Sequence, residues 1–105
     1  MLSSFNLKPG TDIDSFTKSL HRLDQLLRNE GLIQSTGAVG RRQRHEVMDT
    51  DDRDHEYFFV MSFKDRAQCD LSVAVIYEGQ EPLKSIHHAV WSMVSQPVFT
   101  CWEDI

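Results

Sequence analysis

Cysteine is scarce, at two in 105 residues, so a disulfide framework does not hold this chain together. Cys69 and Cys101 have no C-x-x-C spacing, and the expectation for both is the behaviour of small buried hydrophobes. No run approaches the roughly 20 apolar residues a membrane span needs. The first residues, Met1 to Lys8, lack the basic n-region and long apolar core of a signal peptide. A soluble, cytoplasmic protein with no membrane contact is therefore expected. Repeats and low-complexity tracts are missing as well. Basic residues are outnumbered, eleven to sixteen, and the net charge of −5 disfavours nucleic acid phosphates as a partner.

What is present is an ordinary globular composition. Hydrophobic residues make up 40% and charged residues 26%, which argues against wholesale disorder. Size scaling lets a chain of this length bury roughly two thirds of its unfolded surface, enough for one core. One domain over residues 1–105 is expected.

Turn signals divide the chain. Leu2 to Leu7 alternates, with Phe5 and Leu7 on one face and Ser4 and Asn6 on the other. Lys8-Pro9-Gly10-Thr11-Asp12 reads as a turn. Ile13, Phe16, Leu20, Leu23 and Leu27 then form one helical stripe, predicting a helix over about 12–29 with Thr11 as N-cap and Gly31 beyond its end. Residues 32–47 suggest a long, irregular strand weakened by Gly37 and Gly40. Asp49 to Asp54 reads as a loop. Glu56 to Phe63 is apolar on both alternating faces, which places it centrally in a sheet. A second helix is expected from Ala67 to about Tyr77, with Leu71, Ala74 and Val75 inward and Gly79 as its stop. Pro82 opens a third, whose stripe runs through Leu83, Ile86, Val90, Met93 and Val94. Pro97 ends it, and Val98 to Trp102 closes the sheet.

The order is strand, helix, strand, strand, helix pair, strand. This is the β-α-β-β-α-β pattern of an α+β, ferredoxin-like fold, with a four-stranded antiparallel sheet covered by helices on one face. The two-sided apolar strand 56–63 needs a cover on its other face, and a second copy of the chain supplies one most simply.

Leu7-Lys8-Pro9-Gly10, Asn29-Glu30-Gly31-Leu32-Ile33 with the Arg-Arg pair after it, Pro82-Leu83-Lys84-Ser85-Ile86-His87-His88-Ala89-Val90, and Val98-Phe99 together carry a resemblance that spans the whole length. The chain resembles the dimeric α+β barrel superfamily, and within it a small bacterial family of unknown function. The resemblance implies a homodimer whose two sheets pack face to face. It does not fix a reaction, because members include cofactor-free monooxygenases, haem-degrading enzymes, cyclases, isomerases and proteins without known activity. Haem enters only through that analogy and the presence of histidines, and no cofactor is expected.

Several residues could carry chemistry, each beside a plainer role. His87 could act as a general base near neutral pH, or simply flank the core while His88 meets water. Asn6, with Ser4, could line a pocket or pair with neighbouring side chains. Arg41, Arg42 and Arg44 could hold an anionic ligand, protect a strand edge, or pair across a dimer with Asp49, Asp51, Asp52 or Asp54. Tyr57, Tyr77, Trp91 and Trp102 could line an apolar cavity or anchor the core. Asp49 to Asp54 begins like a calcium loop but lacks glycine at position six, and Val60 stands at position twelve. His45-Glu46-Val47-Met48-Asp49 lacks the second histidine of a zinc protease helix. The expectation is a binder, or metal-free transformer, of a small apolar or aromatic molecule. Its catalytic candidate is His87, and its ligand-binding candidates are Asn6, Arg41, Tyr57 and Trp102. The competing expectation is a noncatalytic homodimeric interaction or regulatory domain.

Overall fold

The Ile13 to Leu27 stripe folds as helix α1 (Ile13–Asn29) in the computed structural model, which describes residues 1–105. Phe16, Leu20, Leu23 and Leu27 are buried along it. Its N-cap is Asp12, one residue beyond the expected Thr11, and the carboxylate accepts from the Asp14 amide at 3.1 Å. A charged oxygen at this position satisfies an orphan N–H and complements the helix dipole. At the other end, Gly31 has φ +71°. The Gly31 amide bonds Arg28 O at 3.0 Å and the Leu32 amide bonds Leu27 O at 2.8 Å, which is a Schellman closure.

Before it runs β1 (Leu2–Leu7), and after it come two short strands, β2 (Ser35–Thr36) and β3 (Gly40–Arg41). These replace the single long strand expected over 32–47. Both pair antiparallel with the same neighbour, β4 (Tyr57–Ser62), and the register slips by one residue between Thr36↔Met61 and Gly40↔Phe58. The Gly37-Ala38-Val39 segment takes up the slip, where glycine and a bulge weaken the ladder. The remaining elements are α2 (Arg66–Glu78), α3 (Leu83–Trp91) and β5 (Val94–Thr100).

The sheet runs β2-β4-β1-β5, with β3 beside β4, and every pairing is antiparallel. Reading β2 and β3 as one interrupted strand gives the ferredoxin-like strand order. The sheet has five strands by count and is open, with β5 at one edge.

The closing strand starts four residues earlier than Val98. Helix α3 ends at Trp91, so Met93 and Val94 of the expected stripe lie outside it and Val94 opens β5. Pro97 lies inside this strand. It is tolerated because β5 is an edge and because Gln96 adopts φ +54° in a bulge where the register with β1 shifts between Ser4 and Asn6.

The core sits between one sheet face and α1 and α3. Phe5, Phe16 and Phe59 are its largest fully buried side chains, joined by Leu32, Ile33, Met61, Leu83, Val90 and Val94. Phe5 lies 4.8 Å from Phe16 and 5.8 Å from Phe59, centroid to centroid. The molecule is a slab 19 Å through its thin axis, one layer of helices on one layer of strands. The outer sheet face carries Leu2, Ser4, Phe58, Val60 and Val98 in register, with Val60 36% exposed and no helix above it.

Helix α2 keeps only part of its expected orientation: Val75, with Ile76, packs half-buried against the core, but Leu71 and Ala74 do not turn inward. Ser72 is its one buried residue, while Leu71 is 54% exposed and Ala74 is exposed too. Apolar residues are scattered around this helix, so no single stripe selects an inward face. Its ends are well defined: the Asp65 carboxylate accepts from the Gln68 amide at 2.8 Å, and Gly79 caps the C-terminus at φ +67°.

Candidate functional site

Helix α3 positions the site. Val90 and Leu83 hold one face against the core, which leaves His87 half-buried on its flank and His88 exposed. His87 and Trp91 are one helical turn apart, and their rings lie 6.3 Å apart. Trp91 continues into an aromatic run, 6.2 Å from Phe59 and 5.3 Å from Phe99, the latter edge-on. Burial lowers the His87 pKa below its ordinary value, and the neighbouring His88 charge lowers it further. At neutral pH, His87 is therefore an uncharged imidazole, able to accept a hydrogen bond or a proton.

An open groove of about 540 Å³ lies beside this flank. Lys8, Ile76, Lys84, His88 and Ser92 line it together with His87 and Trp91. Its volume is within the range of small-molecule sites. The residues combine an aromatic surface, a neutral imidazole and two ammonium groups.

Asn6, Arg41, Tyr57 and Trp102 do not join His87. The Asn6 amide nitrogen donates to Asp54 O at 2.6 Å and Gln96 Oε1 at 3.1 Å, while its oxygen accepts from the Glu56 amide at 2.9 Å. This side chain ties the loop before β4 to the bulge in β5. Arg41 lies 5.7 Å over the Tyr57 ring, a cation–π contact between cross-strand partners. Trp102 follows β5 and is 55% exposed.

Arg42 is not a solvated edge residue. Its side chain is 5% exposed and grips Asp49 with two parallel bonds, Nε to Oδ2 at 2.7 Å and Nη2 to Oδ1 at 2.8 Å. It also donates to the carbonyls of Asp51, Arg53 and His55. Arg53 binds Asp51 at 2.7 Å, and Arg44 reaches Asp54 at 3.0 Å. The arginines and aspartates thus pair within one chain, and bonding to Arg42 and Arg53 holds the Asp49 and Asp51 carboxyls below the usual range. His45 Nδ1 accepts from the amides of Val47 and Met48, folding the zinc-motif near miss into a turn.

Cys69 is half-buried, and burial raises its thiol pKa, with Cys101 adding to the rise. Cys101 is exposed, contrary to the buried role expected. Sequence reading missed three buried polar groups on the inner side. Ser3 Oγ, Asp24 Oδ1 and Thr36 Oγ1 lack hydrogen-bond partners. Serine, aspartate and threonine are common on surfaces, so nothing in their spacing marks them.

No helix is long and apolar enough to cross a membrane. No family model and no curated protein matches the sequence. The fold is similar to a solved one: the crystal structure of At3g17210 from Arabidopsis thaliana, refined as an ensemble, aligns with a TM-score of 0.68 over 99% of this chain and 95% of that one, at 9% identity. At that identity the likeness speaks to fold alone, and together with the strand order it establishes a ferredoxin-like α+β architecture.

Proposed function

We propose that this protein is a member of the dimeric α+β barrel superfamily that binds a small apolar or aromatic molecule in the groove beside α3. The observation that carries the reading is a neutral, half-buried His87 against Trp91 on the wall of that groove. Trp91 supplies a flat apolar surface, and His87 supplies one hydrogen-bond acceptor that fixes orientation. In a transforming enzyme the same nitrogen would serve as the general base. Homodimerisation through the outer face, over Phe58, Val60 and Val98, belongs to the same proposal. Removing that face from water is the expected driving force.

A noncatalytic interaction domain is the second reading, and it draws on α2. There Leu71, Val73 and Tyr77 stand exposed on a folded helix.

One titration separates the two. In a Trp102→Phe variant, Trp91 is the sole fluorophore of its kind, and phenol and indole serve as probes. Binding in the groove gives saturable quenching, shifts the His87 ring signals, and weakens about tenfold in His87→Ala, the loss of one well-placed hydrogen bond. The His87 midpoint, followed in the same spectra, falls below about 6.5 in the free protein. Quenching that never saturates, with unmoved His87 signals, overturns the groove reading in favour of the interaction domain.

A further inference from the structure

The groove beside α3 differs in charge from the chain that forms it. Sixteen acidic residues outnumber eleven lysines and arginines over the whole molecule. Yet none of the eight residues lining the groove is acidic, and Lys8, Lys84, His87 and His88 bring basic nitrogens to it. Every ion pair of the protein uses an arginine, so neither lysine is bound to a carboxylate of its own chain. Glu81, three residues before Lys84, accepts instead from the Ser85 hydroxyl at 2.9 Å and does not line the groove. Unneutralised ammonium groups beside an apolar wall suit an anion brought from outside.

The spacing along α3 orders these groups. Lys84, His87 and Trp91 stand at i, i+3 and i+7, one stripe of the helix, and all three line the groove. At 1.5 Å per residue, Lys84 and Trp91 are about 10 Å apart along the axis. Charge therefore sits at one end of the stripe, an aromatic face at the other, and the imidazole between them. Lys84 is exposed, so an incoming ligand meets its ammonium without displacing a core group. Lys8 lies just past β1, where its amide donates to Met93 O at 2.9 Å and fixes the backbone beside the C-terminal end of α3.

We infer that the ligand of this groove is an arylalkanoate, an aromatic ring joined by a short chain to a carboxylate, with the ring on Trp91 and the carboxylate paired with Lys84. This rests on the reading of the groove as a small-molecule site, and adds the charge and length of the ligand to it. A ring alone covers Trp91 and leaves the far end of the stripe to water. A short linker carries the acid toward Lys84, and Lys8 adds a second positive charge to the same space. An aromatic amine would meet like charge from both lysines.

3-Phenylpropanoate, 3-phenyl-1-propanol and propanoate test it in chemical-shift titrations of the whole chain at neutral pH, read at the amides of residues 83–92 and at the His87 ring. The expected result is saturable binding of 3-phenylpropanoate with a dissociation constant on the order of millimolar. It should bind about fivefold more tightly than the alcohol, which has the ring without the charge, and more tightly than propanoate, which has the charge without the ring. Lys84→Met should cut the preference for acid over alcohol about threefold, the size of one exposed ion pair, and Lys8→Met should cut it by less. Saturable binding of the alcohol with no preference for the acid keeps the groove as a site and overturns the arylalkanoate. A preference that Lys84→Met leaves intact overturns it as well, and so does propanoate binding as tight as that of 3-phenylpropanoate. Saturation by neither aromatic probe, with an unmoved His87 ring, overturns this inference together with the groove reading beneath it.

Discussion

Arg42 shows how one side chain can organise an otherwise formless stretch. Between β3 and β4 the chain runs through fifteen residues without regular structure, and Arg42 donates to an aspartate and three backbone carbonyls within it. The carboxyl of Asp49 titrates below its unfolded value because the ion pair favours the charged form. The loop's contribution is therefore complete above the unfolded aspartate pKa of about 3.9, and it is lost as pH falls through the lower native value. Arg42→Ala is expected to open residues 43–56 to amide exchange at neutral pH. The wild type should show the same opening only under acid conditions. Equal protection of the two proteins at neutral pH would count against this role. The arginine and aspartate runs were visible in the sequence, but their partners were not, because either a dimer contact or a local turn satisfies the same charges.

At the scale of elements, residues that close a helix proved easier to read than residues that face inward. Gly31 and Gly79 were legible as helix ends because positive φ strongly favours glycine. The α1 stripe was legible because five apolar residues keep one period. Helix α2 has no such pattern, and Leu71 was misplaced for that reason. The early start of β5 was hidden by Pro97, since a proline argues against a strand unless the strand is known to be an edge. The end-signals of α2 carry a measurable consequence. Asp65→Ala removes the acceptor for the Gln68 amide and should lower stability by about 1 kcal/mol in urea denaturation. No change in the midpoint would mean that Gln68, which reaches Lys64 N and Gly31 O, anchors this end alone.

For the whole molecule, the sheet has two faces with different fates. Phe59 is wholly buried beneath α1 and α3, so Phe59→Ala should destabilise the fold by about 3–5 kcal/mol whatever the oligomeric state. Phe58, one residue earlier, lies on the outer face opposite Ser4. If two copies meet there, Phe58→Asp should leave the far-ultraviolet spectrum intact and halve the mass seen in sedimentation. An unaltered mass would place the contact elsewhere. The candidate site was legible only in fragments. The sequence named His87, and its partners Trp91, Lys8 and Ile76 came together through the fold; Asn6 was drawn instead into a bridge between the loop before β4 and the bulge in β5, and Arg41 onto the Tyr57 ring.

The interruptions at the two rims of that sheet bear on how growth would stop. On one side the ladder breaks between Thr36 and Gly40, and on the other Gln96 and Pro97 bend β5 and remove an amide. Neither rim offers a long, flat template onto which a neighbouring strand could zip. Copies of this molecule are steered away from ribbon-like polymerisation; were two outer faces to meet as proposed, each would hide the other and growth would stop at a closed pair.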